Sequence, residues 1–142
     1  MWVYDLLKQA EIKLDAQGSN IKEIDEALKT ASKKGTGNVG FPEYVGVVKD
    51  YLIVIEDKAA LDKHIKLDDK NCISIEVNAV RDYAVNGALF YAKHLARNTT
   101  YKKILAFGVS GDERKHRISP LYVDETEYYS CLLYTSDAAD DL

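Results

Sequence analysis

Two apolar, β-branched runs separated by two polar residues constrain this chain more than any other stretch. Glu43 to Val48 (EYVGVV) and Tyr51 to Lys58 (YLIVIEDK) flank Lys49-Asp50, and such runs around a two-residue break read as a β-hairpin. With the turn at Lys49-Asp50, Val48 faces Tyr51, and counting back sets Glu43 opposite Glu56. Directly opposed residues of an antiparallel pair have Cβ atoms about 4.5–5.5 Å apart, so like charges there repel. At roughly 4 Å and an effective dielectric near 20, the repulsion is of order 4 kcal/mol. Lys58 lies two residues beyond Glu56 and shares its face, whereas Asp57 points the other way. Two arrangements satisfy this pattern. Either both glutamates and the lysine gather round a divalent cation, since hard cations take carboxylate oxygens, or the strand end frays and both carboxylates are solvated. Lys-Asp is a mediocre turn pair beside Asn-Gly, and a three-residue loop would set Glu43 against a neighbour of Glu56 instead.

The remaining chain is long enough to give that hairpin a core, since its 142 residues suit one domain. Leu52 to Ile55 is only a strand-sized apolar cluster, and no run approaches membrane length. The start, MWVYDLLK, has no basic segment ahead of an apolar one, so no secretory signal is expected. Cys72 and Cys131 lie far apart, outside any CxxC or Cys/His spacing, and read as free thiols of a reducing cytoplasm. The formal charge of −4 argues against nucleic acid only superficially. Residues 131–142 (CLLYTSDAADDL) supply three aspartates and no base, and without them 20 acidic residues face 19 basic ones. That ending resembles translated adapter sequence of the kind that terminates open reading frames in metagenomic assemblies. We therefore set 131–142 apart as a non-native or disordered tail, with the natural protein expected to continue past Ser130.

Residues 1–19 carry a helix-like stripe of Val3, Leu6, Leu7 and Ala10, broken at Gln17-Gly18-Ser19. Residues 20–130 form the main domain. Asn20 with Glu23 reads as a capping box, opening a helix whose apolar face is Ile21, Ile24, Ala27, Leu28 and Ala31. Lys33 to Gly40 (KKGTGNVG) is glycine-rich but follows a helix and leads into a strand, so it is a connector and not a P-loop. After the hairpin, Ala59 to Asn71 reads as an exposed polar loop with His64 solvated, and Ile73 and Ile75 as a short extended piece. Glu76 to Arg97 gives the longest helical pattern, with Val77, Val80, Ala84, Ala88, Tyr91 and Leu95 on its main stripe. Gly87 within it is a candidate for close approach to the sheet. Lys102 to Ser110 and Arg117 to Val123 follow as strands around a charged turn, with Pro120 placing the last at an edge or a bulge. These elements describe an α/β domain, a mixed sheet flanked by helices in the order α-β-β-α-β-β.

That order resembles the PD-(D/E)xK nuclease superfamily, with Pro42-Glu43 on one strand and Glu56-Asp57-Lys58 at the end of the next. Over roughly residues 20–125 the chain is similar to the N-terminal nuclease-type domain of restriction–modification proteins. These include type I restriction R subunits and proteins that fuse such a domain to an adenine-N6 DNA methyltransferase. Gly40 to Lys58, Arg81 to His94 (RDYAVNGALFYAKH) and Ile104 to Gly111 (ILAFGVSG) carry the similarity. The resemblance implies a restriction-endonuclease-like core and Mg²⁺-dependent hydrolysis of double-stranded DNA. Glu43 and Glu56 would hold the metal, with the carbonyl of Asp57 completing its shell, and Lys58 would orient the attacking water. Glu26, or alternatively Glu23, is a candidate further carboxylate. Many members have Asp where this chain has Glu43, and no glutamine opens the long helix, so the Gln-x-x-x-Tyr element is absent or degenerate. Tyr83 or Tyr91 would occupy part of its place.

Candidate contacts to the DNA backbone are Lys33, Lys34, Lys93 and Arg97, with Lys29, His94, Lys102, Lys103, Arg114, Lys115 and Arg117 as further positive groups. Sequence reading would belong to a downstream domain or to modification and specificity subunits. A membrane is not among the expected partners, and the expected location is the cytoplasm. The alternative keeps the fold as an inactive DNA-binding or scaffolding module attached to an adenine-specific methyltransferase. Neither methylation nor nucleotide hydrolysis is expected from these residues: both prolines are isolated, so no Asp/Asn-Pro-Pro-aromatic motif exists, and no P-loop is present.

Overall fold

A computed structural model describes residues 2–3, 15–16, 21–31, 42–124, 128–130 and 134–135. The hairpin forms with the register counted from its turn: β2 (Tyr44–Val48) and β3 (Tyr51–Lys58) pair antiparallel with Val48 opposite Tyr51 and Tyr44 opposite Ile55. Lys49 takes φ 55° to close the turn, a left-handed conformation uncommon for a residue with a Cβ. A helical crossover, α2 (Val77–Asp82) and α3 (Ala84–Asn98), then carries the chain to β4 (Ile104–Gly111), which lies parallel to β3. Strand β5 (His116–Val123) returns antiparallel to β4. With α1 (Lys22–Leu28) ahead of the hairpin, this is the α-β-β-α-β-β order of a restriction-endonuclease-like core.

Short strands extend the mixed sheet at both sides. β1 (Asp15–Ala16) pairs with β2, while β6 (Tyr128–Ser130) and β7 (Tyr134–Thr135) both pair with β5. Strand β5 is therefore not the sheet's edge. β6 covers Leu121–Val123 and β7 covers Arg117–Ile118. Pro120, which has no N–H to give, falls in the gap between those two outer partners. β7 lies within the stretch read as a tail.

Strand alternation divides the buried residues between two faces. Leu52, Val54, Ile104, Ala106, Leu121 and Val123 meet Val85, Ala88, Leu89, Ala92 and Leu95 of α3 on one face. Tyr44, Ile55 and Val109 gather with Val3 on the other. Helix α3 comes unusually close to β4 at Gly108, where a Cβ would lie 2.5 Å from Val85 Cγ2 and 2.6 Å from Val85 Cα. The close approach thus comes from the sheet's glycine opposite Val85.

Three expectations change. The single helix expected over 76–97 breaks at Tyr83, which is extended at φ −115°, ψ 138°. The carbonyls of Lys63 and His64 reach in to accept the N–H groups of Ala84 and Val85, at 3.0 and 2.8 Å, and so start a new helix. His64 is not solvated but buried, at 3% exposure. Glu23 makes no capping box at the start of α1. Its carboxylate accepts the Thr100 N–H and hydroxyl, at 3.1 and 2.8 Å. The N-terminal stripe beyond Val3, Asn20 and the Lys33–Gly40 connector, with Lys33 and Lys34, lie outside the described residues.

Candidate active site

Strand β3 carries Glu56 to the end of the sheet, on the face covered by α3. Continuing the register from Tyr44–Ile55 by one residue sets Glu43 beside Glu56. The Glu43 N–H donates to Glu56 Oε1 at 2.9 Å. The approach is thus closed by a backbone donor on a carboxylate, a strong charge-assisted bond. Glu56 is 2% exposed and Glu43 is half-buried.

Both glutamates act on the same neighbours. Tyr91, buried on α3, has its phenol held well above its ordinary value by burial and then by the negative charges of Glu56 and Glu43. It stays protonated at any ordinary pH. Asp57 is raised from 3.8 to about 6 by burial, then by Glu43 and Glu56, with Lys58 acting in the opposite direction. Its side chain points to the opposite face from Glu56, and Asp57 Oδ1 has no hydrogen-bond partner among the described residues. Lys58, on the face of Glu56, donates from Nζ to the Arg81 carbonyl at 3.0 Å. That carbonyl is free of a helical partner because α2 ends at Asp82. The site therefore sets two glutamates in adjacent register beside a buried phenol and a tethered ammonium, in a region of negative potential.

The other sequence candidates fall at the two ends of α3. Tyr83 occupies the α2–α3 break, with Lys63 Nζ 5.0 Å from its ring centroid. Glu26 lines an open cleft with Lys22, Glu23, Thr30 and Asn98, at the C-terminal end of α3. Lys93 and Arg97 also belong to that end. At about 1.5 Å per residue, Arg97 is roughly 20 Å along the axis from Ala84. Lys93 Nζ lies 5.7 Å from the Tyr128 ring centroid, and Arg97 is exposed. Several other positive groups have structural tasks. His94 Nε2 lies 2.8 Å from the Ala27 carbonyl and joins α3 to α1. Lys102 Nζ donates to the carbonyl of Ala96 at 2.9 Å, closing the end of α3.

Two further polar residues shape this region. Asn86, buried in the first turn of α3, accepts the Lys66 N–H at 2.9 Å and donates to the carbonyls of Lys66 and Ser74 at 2.9 and 2.8 Å. His64 bridges Ser110 Oγ and Ser119 Oγ at 2.8 and 2.6 Å. Asn86 left a trace in the sequence, an amide beside the apolar stripe of a helix. His64 left none, because its serine partners lie 46 and 55 residues away.

Comparison with known proteins gives the site its context. Over 118 residues, 82% of its length, the chain is 41% identical to the type II restriction enzyme and methyltransferase RM.BcgI of Heyndrickxia coagulans. The chain spans only 18% of that protein. No family model matches the chain, and no solved structure matches it. Identity of this extent makes the chain a relative of a restriction–modification protein. No helix among the described residues is long and apolar enough to cross a membrane.

Proposed function

We propose that this chain is the nuclease-type domain of a restriction–modification protein, hydrolysing phosphodiester bonds of double-stranded DNA with Mg²⁺ held at Glu43 and Glu56. The observation that supports this reading is the Glu43 amide seated on the Glu56 carboxylate at 2.9 Å, in the register that puts the two glutamates side by side. It is joined by kinship to a protein named as both restriction enzyme and methyltransferase.

The residues present suit the metal. Burial and then the charges of Glu43 and Glu56 raise both Asp57 and Tyr91, so a cation here would relieve a negative potential. Among the described residues no group of three or more His, Cys, Asp or Glu forms a ready-made cage. The shell would be the two glutamates, the Asp57 carbonyl, water and phosphate oxygens, in keeping with the few carboxylates that Mg²⁺ takes. When bound, the ion polarises the scissile phosphate and lowers the pKa of a coordinated water. Lys58, on a flexible stem anchored at the Arg81 carbonyl, orients that water or stabilises charge developing on the phosphate. Tyr91 remains a neutral hydroxyl within the field of both carboxylates. Sequence recognition and methylation fall to parts of the protein beyond these residues.

Cleavage of duplex DNA by the full-length protein, with and without Mg²⁺, tests the reading. Mg²⁺-dependent strand scission that disappears in Lys58→Ala, with DNA binding retained, is the expected result. Binding without any metal-dependent scission in the unaltered protein would replace it with the inactive DNA-contacting module.

A further inference from the structure

The loop between β3 and α2 leaves the candidate site and bonds to the start of α3, the helix that covers it, and one buried ring fastens that loop. Ser110 Oγ donates its hydroxyl proton to the Leu61 carbonyl at 3.3 Å. A hydroxyl has only one proton to give, so toward His64 Nδ1, 2.8 Å away, Ser110 accepts. The ring therefore carries its hydrogen on Nδ1, and Nε2 accepts from the Ser119 hydroxyl at 2.6 Å. Ser110 lies near the end of β4 and Ser119 on β5, so both strands grip the loop through this imidazole.

The same residue starts the helix. The His64 carbonyl accepts the Val85 N–H and the neighbouring Lys63 carbonyl accepts that of Ala84, two of the donors that a helix start leaves unsatisfied. Just before that start, the Arg81 carbonyl holds Lys58. Further along the same helix stands Tyr91, beside Glu43 and Glu56. Movement of His64 would thus displace the anchor of Lys58 and the helix bearing Tyr91 together.

We propose that His64 is a positioning residue for the Glu43–Glu56–Lys58 site, its Nδ1–H imidazole fixing the loop between the sheet and the start of α3. Its consequence for cleavage rests on the nuclease reading, while its structural part does not. Arg117 is the charged group set against it, directly opposite Ser110 in the β4–β5 register and with a buried Nε that has no hydrogen-bond partner among the described residues. Ser110 and Ser119 meet the ring nitrogens without charge, Ala84 and Val85 at the start of α3 are apolar, and Lys63 on the loop itself lies over Tyr83. Burial and then Arg117 lower the imidazole from 6.5 to about 4, in keeping with a ring that must remain neutral to accept at Nε2.

Nitrogen-15 NMR of the protein reads the tautomer, and amide hydrogen exchange reads the helix start. The expected ring is Nδ1–H and uncharged down to about pH 5. His64→Ala is expected to speed exchange at Ala84 and Val85 about tenfold or more while leaving β2 unchanged. It is also expected to lower kcat for DNA cleavage more than it raises KM, with His64→Asn restoring part of the loss through its amide donor. Should His64→Ala fail to fold, Ser119→Ala removes only the hydroxyl and reads the same two amides. An Nε2–H tautomer, titration near 6.5, or unaltered exchange at Ala84 and Val85 would overturn the proposal. Absence of cleavage in the unaltered protein would remove the nuclease reading alone, because tautomer and exchange remain readable.

Discussion

Glu56 illustrates how a buried carboxylate is tolerated at the end of an apolar strand. One oxygen accepts the Glu43 N–H, and the charge that remains is felt by Asp57 and Tyr91. Glu56→Gln keeps an acceptor for that N–H but removes a charge from a crowded negative region. On the proposed function, it lowers Mg²⁺-dependent cleavage by about 10²-fold or more, the scale seen when one preorganised electrostatic group is lost. The fold loses nothing, and at pH 7 the midpoint of urea unfolding holds or rises. The Asp57 carboxyl then titrates below its present value of about 6, since one of the charges raising it has gone. A cleavage assay and carbonyl carbon-13 titration check both halves, and a large loss of stability would show that the Glu43 N–H depends on full negative charge. Asn86 is the contrasting case, a buried polar group whose three hydrogen bonds all serve structure. Asn86→Ala takes the partner from the Lys66 N–H and the Ser74 carbonyl, while the Lys66 carbonyl keeps the Ser74 N–H, and a loss of about 2–4 kcal/mol in unfolding free energy is expected.

At the scale of elements, the hairpin was legible because its register follows from counting away from a turn, and a period of two leaves little freedom once one face is buried. The path of the crossover was not legible. Its residues have helical periodicity throughout, and the break at Tyr83 comes from loop carbonyls some twenty residues earlier in the chain, which no local pattern encodes. His64 was misread for the same reason, as a polar residue in a polar stretch whose partners are remote serines. The close approach of helix and sheet was misassigned too. Gly87 has the helical position for it, but Gly108 meets Val85. Since the clash at Gly108 includes the Val85 backbone, trimming that side chain offers no relief. Gly108→Ala is expected to cost about 1–3 kcal/mol by forcing helix and strand apart. Because Gly108 is in register with Glu56, cleavage should fall as well, and Val85→Ala should not rescue the double variant. Rescue in a double-mutant unfolding series would place the conflict at the side chain instead.

At the scale of the whole molecule, the two displaced acid–base groups that titrate between about pH 4 and 6 pull stability in opposite directions over the same pH range. His64 is neutral in the fold until about pH 4 but would charge near 6.5 when unfolded. Between those values the unfolded chain binds the extra proton, so stability is lost as pH falls. Asp57 does the reverse. The fold holds its proton up to about pH 6, whereas the unfolded group releases it near 3.8, so stability is lost as pH rises through that range. Each pH unit of difference corresponds to about 1.4 kcal/mol, and the share of Asp57 is reduced because its carboxyl is partly solvated. From about pH 4 to 6 the two effects oppose each other, leaving the stability of the unaltered protein only gently dependent on pH through these groups. Removing either should uncover the other. Asp57→Asn is expected to steepen the rise of unfolding free energy with pH and to stabilise the protein above pH 6, where the penalised charge no longer forms. His64→Gln, which keeps a donor and an acceptor, is expected to flatten that rise or invert it. Other carboxylates contribute equally to all three proteins, so urea midpoints measured in parallel at about pH 4.5, 5.5 and 7 isolate the difference. Three parallel curves would mean that neither group differs in protonation between the folded and unfolded chains.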